Sequence, residues 1–216
     1  MLRRQKRMLR RQEQIKYMAS MSPLEKLHFG KKSLGLWLTI TNDHGSLIKA
    51  FNPSEVHTAH EHYPSEDFLS ENETLQYFYH SHRDTGEHGH IHIFNRDQTT
   101  SHTNHLLAIG LSEKGLPISL FTVNEESVKE KSPGAQALKQ LLKKSLKSSN
   151  NETPLTDWLI SFCRFYKEDI INLITRTSAS STKKTTGSDI SEFTALNWEE
   201  DLERCEKDAL INKNEQ

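Results

Sequence analysis

Between residues 75 and 124 four short segments carry the pattern of strands, whose side chains share a face with a period of two. Leu75 to His82 and His88 to Asn95 flank the segment Arg83 to Glu87, where Gly86 supplies a positive φ, and predict a hairpin. Asn104 to Leu111 and Pro117 to Asn124, joined through Ser112-Glu113-Lys114-Gly115, predict a second. In its first arm His105, Leu107, Ile109 and Leu111 alternate with Leu106, Ala108 and Gly110, as a half-buried strand should. Four sequential antiparallel strands make a meander.

Around this centre the period changes to that of a helix. Ser22, Pro23 and Glu25 stand in the order of an N-cap, an N1 proline and an N3 carboxylate, while Gly30 and Gly35 leave the helix end open. Between Gly35 and Pro64 the pattern is mixed, with Asn52-Pro53 and Tyr63-Pro64 reading as turns or loop corners. Ser132-Pro133 opens a helix with Leu138, Leu141, Leu142 and Leu146 at helical spacing. Thr153-Pro154 opens another, whose stripe runs through Trp158, Leu159, Phe162, Phe165, Tyr166, Ile170, Leu173 and Ile174. The expected fold is α+β, a four-stranded antiparallel meander with flanking helices covering one face. The predicted divisions are a basic helical arm at 1–21, a histidine-rich domain at 22–175, a Ser, Thr and Lys linker at 176–189, and an acidic tail at 190–216. Within the tail, Phe193 to Ile211 reads as a short helix docking through Phe193, Leu196, Trp198 and Leu202.

Composition narrows the picture in three ways. Leu, Ile, Val and Phe total 50 of 216 residues, a little above the level of roughly 20% associated with disorder, so a folded centre with polar segments is expected. The net charge is −1, yet residues 1 to 16 hold seven Lys or Arg against one Glu. Without interleaved aromatics, that arm reads as a solvated helix rather than a contact for nucleic acid or anionic membrane. Cys163 and Cys205 are the only cysteines, which excludes a thiolate zinc ribbon or a disulfide framework. No stretch has the length of a membrane span, and the basic N-terminus lacks a secretory apolar run, so the expected location is the cytoplasm.

Ten of the twelve histidines lie between His57 and His105. With Arg83 to Glu87 as the loop, His82 falls opposite His88 and His80 opposite His90. All five imidazoles of the hairpin, His92 included, then project from one side, and Tyr77, Tyr79, Ile91 and Ile93 from the other. A wet sheet face that merely tolerates histidine is the competing reading. Clustered imidazoles repel one another once protonated and offer unpaired nitrogens when neutral, and a cation answers both problems. The predicted cofactor is a divalent transition metal, Zn or Fe, on His80, His82, His88, His90 and His92, with His62 and His105 as further ligands or supports. Glu87 and Arg83 are the candidate catalytic residues, Arg83 as a bidentate clamp for the anionic part of a small-molecule substrate. A metal-assisted hydrolase, a non-haem iron oxygenase and a non-enzymatic metal-binding module all remain open.

Three families share letters with this segment. His80-x-His82 followed by Glu87 resembles the first metal motif of cupin barrels, without its flanking glycines. His88-Gly-His90-Ile-His92-Ile-Phe94 resembles the signature of histidine triad hydrolases and transferases, with Gly89 at an apolar position; the resemblance implies a metal-independent nucleophile at His90. The widest resemblance is to an uncharacterised bacterial domain of unknown function. It rests on His62-Tyr63-Pro64, Phe78-Tyr79-His80-Ser81-His82-Arg83, Glu87 to Phe94, Asn104-His105-Leu106 and Gly115 to Asn124, and it implies no assigned reaction.

Overall fold

Ser22 opens the first helix as its place in the sequence predicts. Its side chain accepts from the Glu25 backbone N–H at 3.2 Å, and Pro23 takes the first helical position. The computed structural model describes residues 21–54, 58–82, 86–123, 133–147, 152–180 and 190–214. The basic arm at 1–20 lies outside them.

Helix α1 (Pro23–His44) runs through both glycines and stops at Gly45, whose φ of 85° suits a left-handed cap and whose N–H bonds to the Thr41 carbonyl. Gly30 is tolerated because of what packs there. A Cβ at residue 30 would stand 2.7 Å from Leu202 Cδ1 and 2.9 Å from a Phe165 ring carbon. The short helix α2 (Leu47–Phe51) follows, capped by Ser46.

The sheet has six strands, each antiparallel to the next in the order β1 to β6: β1 (Tyr63–Leu69), β2 (Leu75–His80), β3 (Gly89–Arg96), β4 (Thr103–Leu111), β5 (Pro117–Val123) and β6 (Ile190–Ala195). The α+β class stands, but the four-strand count is corrected to six. Both additions are edge strands, and their polarity hid them. β1 carries Pro64, Ser65, Glu66 and Asp67, residues that keep an edge from pairing further. In β6, Phe193 pairs opposite Phe121 and stays 53% exposed, so it belongs to a strand and not to a docking helix.

Between β5 and β6 the chain builds α3 (Ala135–Ser145), α4 (Pro154–Phe165) and α5 (Lys167–Ser180); α6 (Trp198–Asn214) ends the described chain. Thr153 caps α4 as expected, accepting from the Thr156 N–H. The long apolar stripe from Trp158 to Ile174 is split at Tyr166 into two helices, α4 and α5. Residues 176–180 of the Ser, Thr and Lys tract continue α5, and 181–189 lie outside the described residues.

Helices cover the sheet face that bears Leu75, Tyr77, Tyr79, Ile91, Ile93, Leu107, Ile109 and Leu120, all fully buried. Polar tips on that face are tied to the helices above them. Tyr77 Oη meets Thr156 Oγ1 at 2.8 Å, Asn95 Nδ2 donates to Ser145 Oγ at 2.9 Å, and the Thr122 and Thr177 hydroxyls bond at 2.6 Å. A one-residue slip of β2 against β3 would turn Tyr77, Tyr79, Ile91 and Ile93 outward at roughly 1.5–3 kcal/mol each, so burial fixes this register. No helix among the described residues is long and apolar enough to cross a membrane.

The two glycines of α1 predict opposite stability effects. Gly30→Ala drives a methyl group into Leu202 and Phe165 and should cost about 1–3 kcal/mol. Gly35→Ala meets nothing within 4 Å, and should gain about 0.5–1 kcal/mol from helix propensity alone. Urea unfolding of the two variants beside the wild type measures both, and equal signs would contradict the packing described for Gly30.

Candidate metal centre

The β2–β3 ladder pairs His80 with His90 and Phe78 with His92, which places the three imidazoles on the face opposite Tyr79 and Ile91. On β4 the partners of His90 and His92 are Gly110 and Ala108, the smallest residues available, so the rings have room to lie over the sheet. The Nε2 atoms converge: His80 to His90 at 2.6 Å and His80 to His92 at 2.9 Å. Each of the three rings offers a ligand nitrogen within 4.8 Å of those of the other two. His90 is fully buried and His92 8% exposed, while His80 is half-buried.

Two of the three rings are held from behind. His90 Nδ1 lies 2.8 Å from Glu87 Oε1, and His92 Nδ1 lies 2.9 Å from His105 Nε2. An ionised Glu87 accepts only, so a neutral His90 carries its proton on Nδ1 and its lone pair on Nε2, toward His80. The Glu87 carboxylate fits because residue 110 is a glycine: a Cβ there would stand 2.6 Å from Glu87 Oε2 and would also strike Ser119 Oγ. Phenylalanines complete the surroundings, with Phe78 5.3 Å from His92, Phe121 5.2 Å from His90 and Phe94 5.1 Å from His105, ring centre to ring centre. Such an apolar wall lowers the local dielectric around the nitrogens.

The remaining predicted residues are placed differently. His82 lies past the end of β2, its ring 4.6 Å from His80 and 5.0 Å from His90, outside the converging nitrogens. His88 does not share the face at all. The β2–β3 ladder ends at the His80–His90 pair, Ser81 Oγ bonds to the His88 carbonyl, and the His88 ring turns to Tyr79 Oη at 2.5 Å. The expected His82–His88 pair is therefore corrected: the turn, with Gly86 at a φ of 80°, leaves the ladder before that pair could form, and the Glu87 side chain folds in toward His90. His62 stands at the rim, stacked on Phe78 and bonded through Nδ1 to Asp67 at 3.1 Å. Arg83 lies outside the described residues.

His105 reaches the site by a route that strict alternation forbids. Counted from Leu107 it belongs on the helix side of β4. A bulge between Ile93 and Phe94 leaves Leu106 unpaired and sets His105 opposite Phe94, on the histidine face. Sequence reasoning also missed His60, which stacks on His82 at 4.7 Å, and Gly110. A glycine inside a strand is itself a signal of close approach.

Burial, reinforced by the imidazoles of His90, His82, His62 and His60, holds His80 down to about 2. Burial, then His90, holds His105 down to about 3. Unfolded histidine takes its proton near pH 6.5, so below that pH the metal-free unfolded chain binds protons that the folded chain refuses. Stability then falls with pH, by up to about 1.4 kcal/mol per pH unit for each such histidine. Denaturant unfolding of metal-free protein at about pH 7, 6 and 5 should show this decline, and His105→Gln, which keeps a bond to His92, should make it shallower. A flat profile would mean that these imidazoles protonate freely in the fold.

The sequence model of a family described as a domain of unknown function, DUF6969, matches residues 33–199, more than three quarters of the 216 residues. No curated protein and no solved structure matches the chain. The match takes in the whole sheet, the three converging histidines and both of their supports, and the chain belongs to the DUF6969 family.

Proposed function

We propose that His80, His90 and His92 bind a divalent transition metal through their Nε2 atoms, with zinc as the fitting ion and a small-molecule substrate approaching from the solvent side. The observation that carries this is the convergence of three imidazole nitrogens, two of them on rings whose opposite nitrogens are held by Glu87 and His105. That support of the outer nitrogen is how metal-binding histidines are oriented. The gaps of 2.6 and 2.9 Å fall inside the roughly 3.3 Å that two nitrogens keep on one tetrahedral zinc, so binding spreads the rings by about half an ångström.

Three protein ligands leave a coordination position open, which separates a catalytic site from a closed structural one. A metal held this way supplies a Lewis acid and a water of lowered pKa, the requirement of metal-assisted hydrolysis. A non-haem iron oxygenase needs two histidines and one carboxylate on the metal. Glu87 is spent on His90 Nδ1, with its side chain only 8% exposed, which favours hydrolysis over oxygenation and makes Glu87 a positioning residue. The cupin comparison loses its carboxylate ligand by the same geometry, and the chain forms an open sheet. A histidine triad nucleophile has less support, because Nε2 of His90 is directed at His80.

Tag-free protein should carry one tightly held zinc per chain, lost in His80→Ala or His92→Ala. Glu87→Gln should weaken binding about 10–100-fold, whereas His88→Ala, on Tyr79 and away from the nitrogens, should leave it intact. Metal analysis and equilibrium titration measure all four. In the cobalt-loaded protein, added azide should change the visible spectrum by taking the open position. Metal-free protein that gains no thermal stability from zinc would overturn the reading, and a spectrum indifferent to azide would assign the site to a structural role.

A further inference from the structure

On the helix side of the sheet, away from the histidines, the first turn of α1, the start of α5, the end of β6 and the first half of α6 line a cavity of about 690 Å³. Thr194 in its wall pairs with Leu120, which faces the helices. The volume suits a small organic molecule and is far more than one ion fills. Two groups of opposite charge enter it half-buried and from different helices, Lys26 on α1 and Asp169 on α5. Among the described residues no ion pair joins them or ties either one to another side chain. Lys26 Nζ lies only over the Phe165 ring, 5.5 Å from its centre, and the Asp169 carboxylate accepts only from its own backbone. Burial pushes the Asp169 carboxyl above its ordinary range; Lys26 opposes that shift and Asp201 adds to it. Asp201, the third half-buried charge of the wall, is already held: Oδ2 accepts from the Tyr166 hydroxyl at 2.8 Å, and Oδ1 lies 3.5 Å from Arg204 Nη2. The other charged residues of the lining, Glu168, Arg204 and Asp208, are exposed.

We propose that this cavity binds a small zwitterion, an α-amino acid with an apolar side chain, its ammonium group between the Asp169 and Asp201 carboxylates and its carboxylate on the Lys26 ammonium. Each unpaired charge then gains the partner that the fold withholds from it, through hydrogen bonds assisted by charge on both sides. A ligand of one sign would satisfy one wall and leave the other half-buried charge alone. Met21, Pro23 and Leu196 supply apolar wall, on which a side chain the size of leucine or methionine is sheltered from water. The histidine triad takes no part, so binding here is independent of any metal.

Isothermal titration of the full-length protein with L-leucine and L-methionine tests this at about pH 7, where both ends of the ligand are charged. Both should bind, one per chain. Isopentylamine, which is leucine without its carboxylate, and isocaproate, which is leucine without its ammonium, should each bind about 10–100-fold more weakly. Lys26→Gln should weaken L-leucine by the same factor and leave isopentylamine unchanged, whereas Asp169→Asn should weaken both. Lys26→Arg, which keeps the charge, should restore much of the L-leucine affinity. Melting temperatures of the ligand-free variants certify the fold, and the comparison of analogues on the wild type decides even where a variant fails to fold. A wild type that binds neither amino acid at up to about 10 mM overturns the proposal. Equal affinity for L-leucine and isopentylamine would make the cavity a site for cations alone, and binding that persists in both Lys26→Gln and Asp169→Asn would place the amino acid elsewhere; either result overturns it as well.

Discussion

Everything at the histidine face depends on the register of β2 against β3. The ladder carries two chemistries on its two sides: Tyr77, Tyr79, Ile91 and Ile93 face the helices, and Phe78, His80, His90 and His92 face away. The apolar side sets the register because its burial is worth several kcal/mol per slip avoided. The imidazoles contribute little to that choice and inherit its geometry. Three nitrogens are thus brought together by forces that do not act on them, and burial first, then the neighbouring imidazoles, hold His80 below its ordinary protonation range.

The same logic explains which parts of the site were legible in the sequence. A period of two over Leu75 to Asn95 places His80, His90 and His92 on one face whatever the rest of the chain does, and the β2–β3 pairing follows. Where the backbone departs from that period, the letters mislead. His88 is read onto the face by counting, but the β2–β3 ladder ends at the His80–His90 pair, and Tyr79 Oη takes the His88 ring. His105 is in the expected cluster, yet strict counting from Leu107 would turn it off the face, and the bulge at Leu106 brings it back. Both departures sit within a few residues of the nitrogens, as bulges and ladder ends at functional sites tend to do.

The edge strands failed for a different reason. β1 and β6 each have one neighbour and so lack the two-sided burial that writes a clean alternation, while Pro64, Glu66 and Glu192 suit an edge and read as loop or helix surface. The helices were legible where a side chain cap announced them, at Ser22 and Thr153, because a cap is a local interaction and needs no knowledge of the fold. The passage of α1 through Gly30 was not, since its cause is the approach of Leu202 from the far end of the chain.

Glu87 shows how one residue type acquires a role from its surroundings alone. In the sequence it is a carboxylate beside five histidines, suited to a catalytic role or to a place beside a metal. Gly110 and Ser119 open a recess for one of its oxygens and His90 Nδ1 takes the other, so the negative charge is placed behind the imidazole and not in front of it. A carboxylate there would make Nε2 of His90 a better electron donor to a metal without itself becoming a ligand. A single strand glycine, through the space it concedes to a neighbouring acid, thereby shapes what a metal at His80, His90 and His92 would be able to do.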